Sequence, residues 1–278
     1  MLVPVLSPSG AGCRSTVAGL LSATFATVAK TVLLDASTPA LSPWPSWVTQ
    51  PTAKVATWRH DFDSPPAGLL ACAAVQHLGA HSWHVLSPRA LSPETSPLAP
   101  QQWVRLARAG GWSVAVIDTG HSALVELDDG PDPVWSATAA WIADLPTSPV
   151  LALANTVAGL DHAHRFVTAC GRLGLSCSRL TVALVDICAG RQPRQALRAG
   201  TVLAGRVGVV VRLPFDPQIA ALGLSAPDRV RPASQRSARV LAAALVDVGS
   251  RQGPPRGRTT ATARGMAMGM GMGMGARP

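Results

Sequence analysis

The sequence predicts a three-layer α/β/α sandwich built around a predominantly parallel β-sheet. Short runs of apolar, often β-branched residues alternate along the chain with Ala- and Leu-rich stretches of helical length. The short runs are apolar almost throughout, which is typical of strands that helices cover on both faces of a parallel sheet. With 47% hydrophobic and 14% charged residues, the chain has enough apolar side chains to fill a sizeable core.

The predicted elements follow one another in the order that produces a doubly wound sheet. Eight apolar runs are predicted strands: 3–6, 31–34, 53–58, 83–86, 113–117, 150–154, 180–185 and 207–213. Seven stretches are predicted helices: 15–30, 67–78, 100–109, 134–143, 160–173, 194–199 and 234–248. The segment 37–50, rich in Pro, Ser and Trp, is predicted to be a loop over the carboxyl edge of the sheet.

Composition divides the chain into a domain at 1–249 and a tail at 250–278. The tail is dense in Gly, Pro and isolated Met, which cannot fill a core, so we expect it to be disordered. It also holds five Arg and no acidic residue, so much of the formal charge of +9 lies there. Nucleic-acid binding is therefore only weakly indicated.

Neither a membrane span nor a signal peptide is indicated. No apolar run reaches the roughly 20 residues that a transmembrane helix needs. The N-terminus lacks a basic region and a clear cleavage site, so it is interpreted as a first strand and the expected location is cytoplasmic.

A glycine-rich turn joins the first predicted strand to the first predicted helix, with the sequence SGAGCRST at 9–16. Such a turn exposes backbone N–H groups beside a helix N-terminus, and together they can cradle a phosphate. The hydroxyl of Ser15 or Thr16 could hold Mg²⁺. The alternative is a plain glycine turn in which Ser15 caps the helix.

Two carboxylates, Asp35 and Asp118, end predicted strands. In a parallel sheet this is the edge where ligands bind. Asp118 could hold Mg²⁺ directly or through water. The alternative is that Asp118 only caps the turn through Thr119 and Gly120.

The sequence resembles the ParA/MinD family of P-loop NTPases. The stretch SGAGCRST is similar to the deviant Walker A motif K-G-G-x-G-K-[ST]-T of that family. Four further segments resemble family motifs in the same order: VLLDAS at 32–37, VAVIDTG at 114–120, VALVD at 182–186 and VRLPFDP at 211–217. The resemblance spans residues 1–249.

The resemblance implies a P-loop NTPase-like fold, binding of ATP or ADP with Mg²⁺, a homodimer and a protein partner. It implies catalytic roles for Asp35 and Asp118, and Mg²⁺ ligation by Ser15 and Asp118. It implies nucleotide binding by nine residues: Gly10, Ala11, Gly12, Cys13, Arg14, Ser15, Thr16, Asp186 and Pro214.

The chain departs from the family pattern at five functional positions. The signature lysine falls on Ser9, the P-loop lysine on Arg14 and the preceding glycine on Cys13. The second aspartate falls on Ser37, and the base-contacting asparagine falls on Asp186 or is missing. These departures favour a weak-binding or pseudo-NTPase that localises or scaffolds a partner machinery. The alternative is an active ATPase that positions DNA, division, pilus or secretion components.

Overall fold

The computed structural model describes residues 1–9, 13–37, 42–48, 73–87, 98–120, 123–128, 136–190 and 192–251. Eight strands form one sheet: β1 (Leu2–Leu6), β2 (Thr31–Ala36), β3 (Ala74–Leu78), β4 (His81–Leu86), β5 (Val114–Thr119), β6 (Val150–Ala154), β7 (Thr181–Val185) and β8 (Val209–Leu213). Their order across the sheet is β3-β4-β2-β5-β1-β6-β7-β8. All pairs are parallel except β3 with β4, which confirms the predicted fold class.

The predicted helix at 67–78 is wrong for residues 74–78, which form strand β3. Residues Ala74–Leu78 pair antiparallel with β4 through a tight turn in which Gly79 adopts a φ of 59°. Ala and Leu favour a helix by propensity, but pairing with the edge of a sheet overrides that weak preference. The predicted strand at 53–58 and the first part of the predicted helix lie outside the described residues.

Nine helices connect or follow the strands in the described ranges: α1 (Arg14–Phe25), α2 (Trp44–Trp47), α3 (Pro100–Ala109), α4 (Ala123–Asp128), α5 (Ala137–Ala139), α6 (Val157–Arg172), α7 (Arg194–Ala204), α8 (Pro217–Leu222) and α9 (Pro232–Arg251). A short π-helical segment, Ala140–Asp144, continues α5. Three of the helices, α2, α4 and α8, are short and were not predicted. None of the helices in these ranges is long and apolar enough to cross a membrane.

The helices bury both faces of the sheet. One hydrophobic cluster lies beneath α1, α2 and α9 and includes Val3, Val5 and Leu241. The other lies beneath α3, α4, α6 and α7 and includes Leu6, Ile117 and Phe166. Because adjacent side chains of one strand point to opposite faces, strands covered on both sides must be apolar at nearly every position.

The centre of the sheet brings the ends of β1, β2 and β5 together. Asp35 in β2 and Asp118 in β5 are paired positions in the parallel ladder, and Val5 of β1 pairs with Asp118 on the other side. The Thr119 hydroxyl donates a hydrogen bond to the carbonyl of Val5, at 2.7 Å. Both predicted carboxylates therefore lie at one carboxyl edge, beside the turn that leads into α1.

Candidate functional site

The turn before α1 ends at Cys13, the residue that precedes the first helical residue. Cys13 adopts a left-handed conformation, with φ 41° and ψ 13°, and is the only non-glycine residue with positive φ in the described ranges. Glycine takes this conformation freely, whereas another residue there is strained by roughly 1–2 kcal/mol. Burial raises the pKa of the Cys13 thiol, so the thiol stays neutral near pH 7. The predicted loop residues Gly10, Ala11 and Gly12 lie outside the described residues.

Arg14, at the position of the P-loop lysine, lies against Asp118. Its Nε is 3.5 Å from Oδ1 of Asp118, and its side chain is only 8% exposed. If Arg14 acted as a P-loop lysine does, its guanidinium would be directed toward the phosphate. Here the guanidinium is paired with the buried carboxylate.

Trp44 also contacts Asp118, at the other oxygen of its carboxylate. The indole Nε1–H donates a hydrogen bond to Oδ2 of Asp118 at 2.8 Å, and both side chains are fully buried. The segment that supplies Trp44 was predicted to be a loop over the carboxyl edge. Of this segment, residues 42–44 lie at that edge, and residues 44–47 form the short helix α2, which begins with Trp44 followed by a proline.

Asp35 accepts three hydrogen bonds from its surroundings. The Ser42 and Ser87 hydroxyls each donate to Oδ2 at 2.6 Å, and the backbone N–H of Ser37 donates to Oδ1 at 2.9 Å. Ser37, where the family has a second aspartate, therefore contributes its backbone to the first one. Asp35 is held in one orientation by β2, β4 and the segment before α2.

The two carboxylates are harder to ionise than usual. Burial raises the pKa of Asp35 to about 6, with a further contribution from the charge of Asp118. Burial also raises the pKa of Asp118, while hydrogen bonding by Ser15, the charge of Arg14 and the Trp44 N–H act in the opposite direction. Ser15 and Asp118, the predicted Mg²⁺ ligands, therefore lie near each other. Hydroxyl and carboxylate oxygens are suitable ligands for Mg²⁺.

A cavity of about 220 Å³ lies beside the N-terminus of α1. It is lined by Cys13 and Thr16 on one side, and by Asp186 and Pro214 at the ends of β7 and β8 on the other. Four residues of the predicted nucleotide site therefore line one cavity. Arg14 and Ser15 point instead toward Asp118.

Asp186 lines this cavity, but its carboxylate is occupied. Oδ1 accepts hydrogen bonds from the side-chain amides of Asn155 and Gln192, at 2.7 and 3.2 Å. Arg212 pairs with the same carboxylate, with Nη2 at 2.7 Å from Oδ2. The predicted contact between Asp186 and a base would have to displace one of these partners.

Sequence reasoning missed the donors that surround the two aspartates: Ser42, Trp44 and Ser87. The Pro-, Ser- and Trp-rich composition indicated a segment above the sheet edge, but not which side chain turns inward. Ser87 follows β4 directly, so its place at the carboxyl edge could have been found from the strand assignment alone.

Three solved structures share this architecture over most of their length. The ParA family ATPase from Chlorobium tepidum TLS is 16% identical, with 87% of this chain and 97% of that chain aligned and a TM-score of 0.58. Apo McdA from Cyanothece is 17% identical, with 88% and 98% aligned and a TM-score of 0.53. A substituted form of Cyanothece McdA in complex with ATP is 14% identical, with 88% and 96% aligned and a TM-score of 0.52.

No protein-family model matches the sequence, and no curated protein matches it. At identities of 14–17%, similarity to solved structures concerns the fold alone. The motifs at the carboxyl edge of the sheet and the agreement over nearly the whole length of those structures lead to the same result: the chain has the fold of the ParA/MinD-like P-loop NTPases.

Proposed function

We propose that the chain is a ParA/MinD-like nucleotide-switch protein whose phosphate loop has lost catalytic competence. It binds ATP or ADP weakly with Mg²⁺ and acts in the cytoplasm as a localising or scaffolding subunit of a larger assembly. The single observation that supports this most is the buried ion pair between Arg14 and Asp118, at 3.5 Å. In this pair the positive charge at the position of the P-loop lysine offsets the charge of a buried carboxylate.

Electrostatics explain why hydrolysis would be lost before binding. Transition-state stabilisation needs positive groups that are fixed where charge develops on the transferring phosphoryl group. Ser9 has no charge, and Arg14 is engaged with Asp118. Backbone N–H groups at the start of α1 do not depend on side chains, so they can still attract phosphate.

The cavity beside α1 would take only part of a nucleotide. Its volume of about 220 Å³ is below the roughly 300–1,000 Å³ of pockets that enclose a drug-sized ligand. Its place between Cys13 and Pro214 suits a base or sugar, with the phosphates reaching toward Ser15. Because Asp186 is held by Asn155 and Arg212, recognition of the base through that carboxylate would be weak.

Two groups would hold Mg²⁺ when nucleotide is bound, the hydroxyl of Ser15 and the carboxylate of Asp118. Bound by these two residues, Mg²⁺ would supply positive charge that offsets the charge of the phosphates. Asp35, one strand away, would orient water near the same edge. The proposed partners are a second copy of the chain and a further protein, by analogy with proteins of this fold.

The test is to measure binding of ATP and ADP by titration calorimetry and hydrolysis by phosphate release. We expect weak, Mg²⁺-assisted binding and little or no hydrolysis. A variant carrying Ser9→Lys, Cys13→Gly and Arg14→Lys should bind more tightly, because it restores both lysines and relieves the strain at residue 13.

The alternative, an active ATPase, is supported by the retained Asp35, Asp118 and Ser15. Turnover by the unmodified chain that Asp118→Ala abolishes would establish the alternative and overturn the pseudo-NTPase proposal. Absence of any nucleotide binding, in both the wild type and the restored variant, would overturn both functions.

A further inference from the structure

The segment Ser42–Trp44, here called the strap, joins the two buried carboxylates by an unbroken series of hydrogen bonds. The Ser42 hydroxyl donates to Asp35 at 2.6 Å and accepts from the backbone N–H of Trp44 at 3.2 Å. The indole N–H of Trp44 then donates to Asp118 at 2.8 Å. The strap thus supplies hydrogen-bond donors at the edge where Mg²⁺ and its waters would meet the same carboxylates.

The indole of Trp44 is held by a close fit against α1. A Cβ placed on Gly19 would lie 2.9 Å from Cη2 of Trp44 and 2.2 Å from Cδ1 of Leu224. The absence of a side chain at residue 19 is therefore what lets the ring reach Asp118. On its other side the ring meets Trp47 edge-to-face, with centroids 5.2 Å apart.

A second cavity adjoins the packing around Gly19. Leu224 and Gly19 also line a separate, mostly apolar cavity of about 370 Å³ between α1, β4 and α9. Packed cores resist small displacements because they contain few voids. A cavity of this size lets Leu224 move, which relaxes the packing around Gly19 against which the Trp44 ring lies.

We propose that Trp44 is a latch on the nucleotide site, whose indole N–H competes with Mg²⁺ for the carboxylate of Asp118. This rests on the function proposed above. Oδ2 of Asp118 lies 2.8 Å from the indole nitrogen, which leaves no room for a cation on that side of the oxygen. In the open form, the Trp44 indole has moved away from Asp118. Nucleotide with Mg²⁺ binds only this form, so the apparent affinity equals the affinity of the open form multiplied by the fraction of molecules that are open.

The experiment compares Kd for ADP with Mg²⁺ in the wild type, Trp44→Phe and Trp112→Phe. Phenylalanine keeps an aromatic ring at residue 44 but removes the N–H. A hydrogen bond to a charged group biases an equilibrium by about tenfold or more, so we expect Trp44→Phe to lower Kd about tenfold. Trp112→Phe is the matched control, since its indole N–H donates to His84 on the other face of the sheet, and its Kd should stay within about twofold of the wild type.

A second variant and a spectroscopic readout separate the latch from a general loss of packing. Gly19→Ala crowds the ring while leaving every hydrogen-bonding group in place, and it too should lower Kd. In 15N-indole NMR spectra, with the Trp44 signal identified by its loss in Trp44→Phe, the indole proton should exchange slowly without ligand. It should exchange faster both in Gly19→Ala and in the wild type with saturating ADP and Mg²⁺.

The outcomes distinguish the latch from the function on which it rests. If the wild type binds nucleotide but Trp44→Phe binds with the same Kd and the Trp44 indole stays protected in the complex, the latch is wrong and the proposed function stands. If neither the wild type nor Trp44→Phe binds, the latch is wrong; if the variant with Ser9→Lys, Cys13→Gly and Arg14→Lys also fails to bind, the proposed function is wrong as well. Binding by Trp44→Phe alone would be the strongest support for the latch.

Discussion

Replacing Asp35 by Asn should make the protein more stable at high pH and less stable at low pH. The side chain of Asp35 is completely buried, yet it ends a strand beside a second carboxylate, Asp118. Burial and that neighbouring charge raise the pKa of Asp35 from 3.8 to about 6. The hydrogen bonds from Ser37, Ser42 and Ser87 lower it only in part.

The direction in which stability changes with pH follows from proton uptake by Asp35. Because the pKa of Asp35 is higher in the folded state, folding favours the protonated form. Its contribution to stability is complete below pH 4 and is lost as the pH rises through about 6. A difference of about two pKa units corresponds to roughly 3 kcal/mol of destabilisation at pH 8.

Asparagine removes the charge but also weakens one or two of the three hydrogen bonds, at a cost of about 1–2 kcal/mol. The net expectation for Asp35→Asn is a gain of about 1–2 kcal/mol in the free energy of unfolding at pH 8. At pH 4.5 the gain disappears and a loss of about 1 kcal/mol remains, because the wild-type carboxyl is already protonated.

Urea unfolding at both pH values would measure the difference. Asp161→Asn, at an exposed residue of α6, is the control and should change stability by less than about 0.5 kcal/mol at either pH. A loss of stability for Asp35→Asn that is equal at pH 4.5 and pH 8 would refute the reasoning, since it would show that Asp35 does not titrate between those values.

Two further predictions concern the sheet edge and the tail. Gly120→Ala should lower the free energy of unfolding by about 2–3 kcal/mol, because the new Cβ would lie 2.3 Å from Cα of Ser37, whose backbone cannot withdraw. Gly171→Ala, with no atom within 4 Å of the added Cβ, is its control in urea unfolding and should be neutral or stabilising; equal effects would mean that β2 and β5 do not approach at Gly120. Deleting residues 252–278 should leave the melting temperature nearly unchanged, because Gly and Pro at that density favour the unfolded chain; a fall of several degrees in calorimetry would contradict this.

The order of the apolar runs was enough to predict the sheet and its parallel direction. Seven of the eight strands in the described ranges overlap predicted ones, and the helix at 100–109 has the predicted bounds. Strands buried on both faces leave a strong local signal, because every position must be apolar. The local signal for β3 was weak, because Ala74–Leu78 becomes a strand only by pairing with β4 at the sheet edge.

The sequence by itself determined that Asp35 and Asp118 share an edge with the turn before α1, because parallel strands of one sheet end on the same side. Only the tertiary structure decided what those carboxylates contact. Arg14 turns toward Asp118, and Trp44, 74 residues away along the chain, reaches the same group across Gly19. The positions of the strands along the chain follow from local patterns of burial. The partners of a buried charge depend instead on which distant side chains packing brings close to it, and no pattern along the chain records that distance.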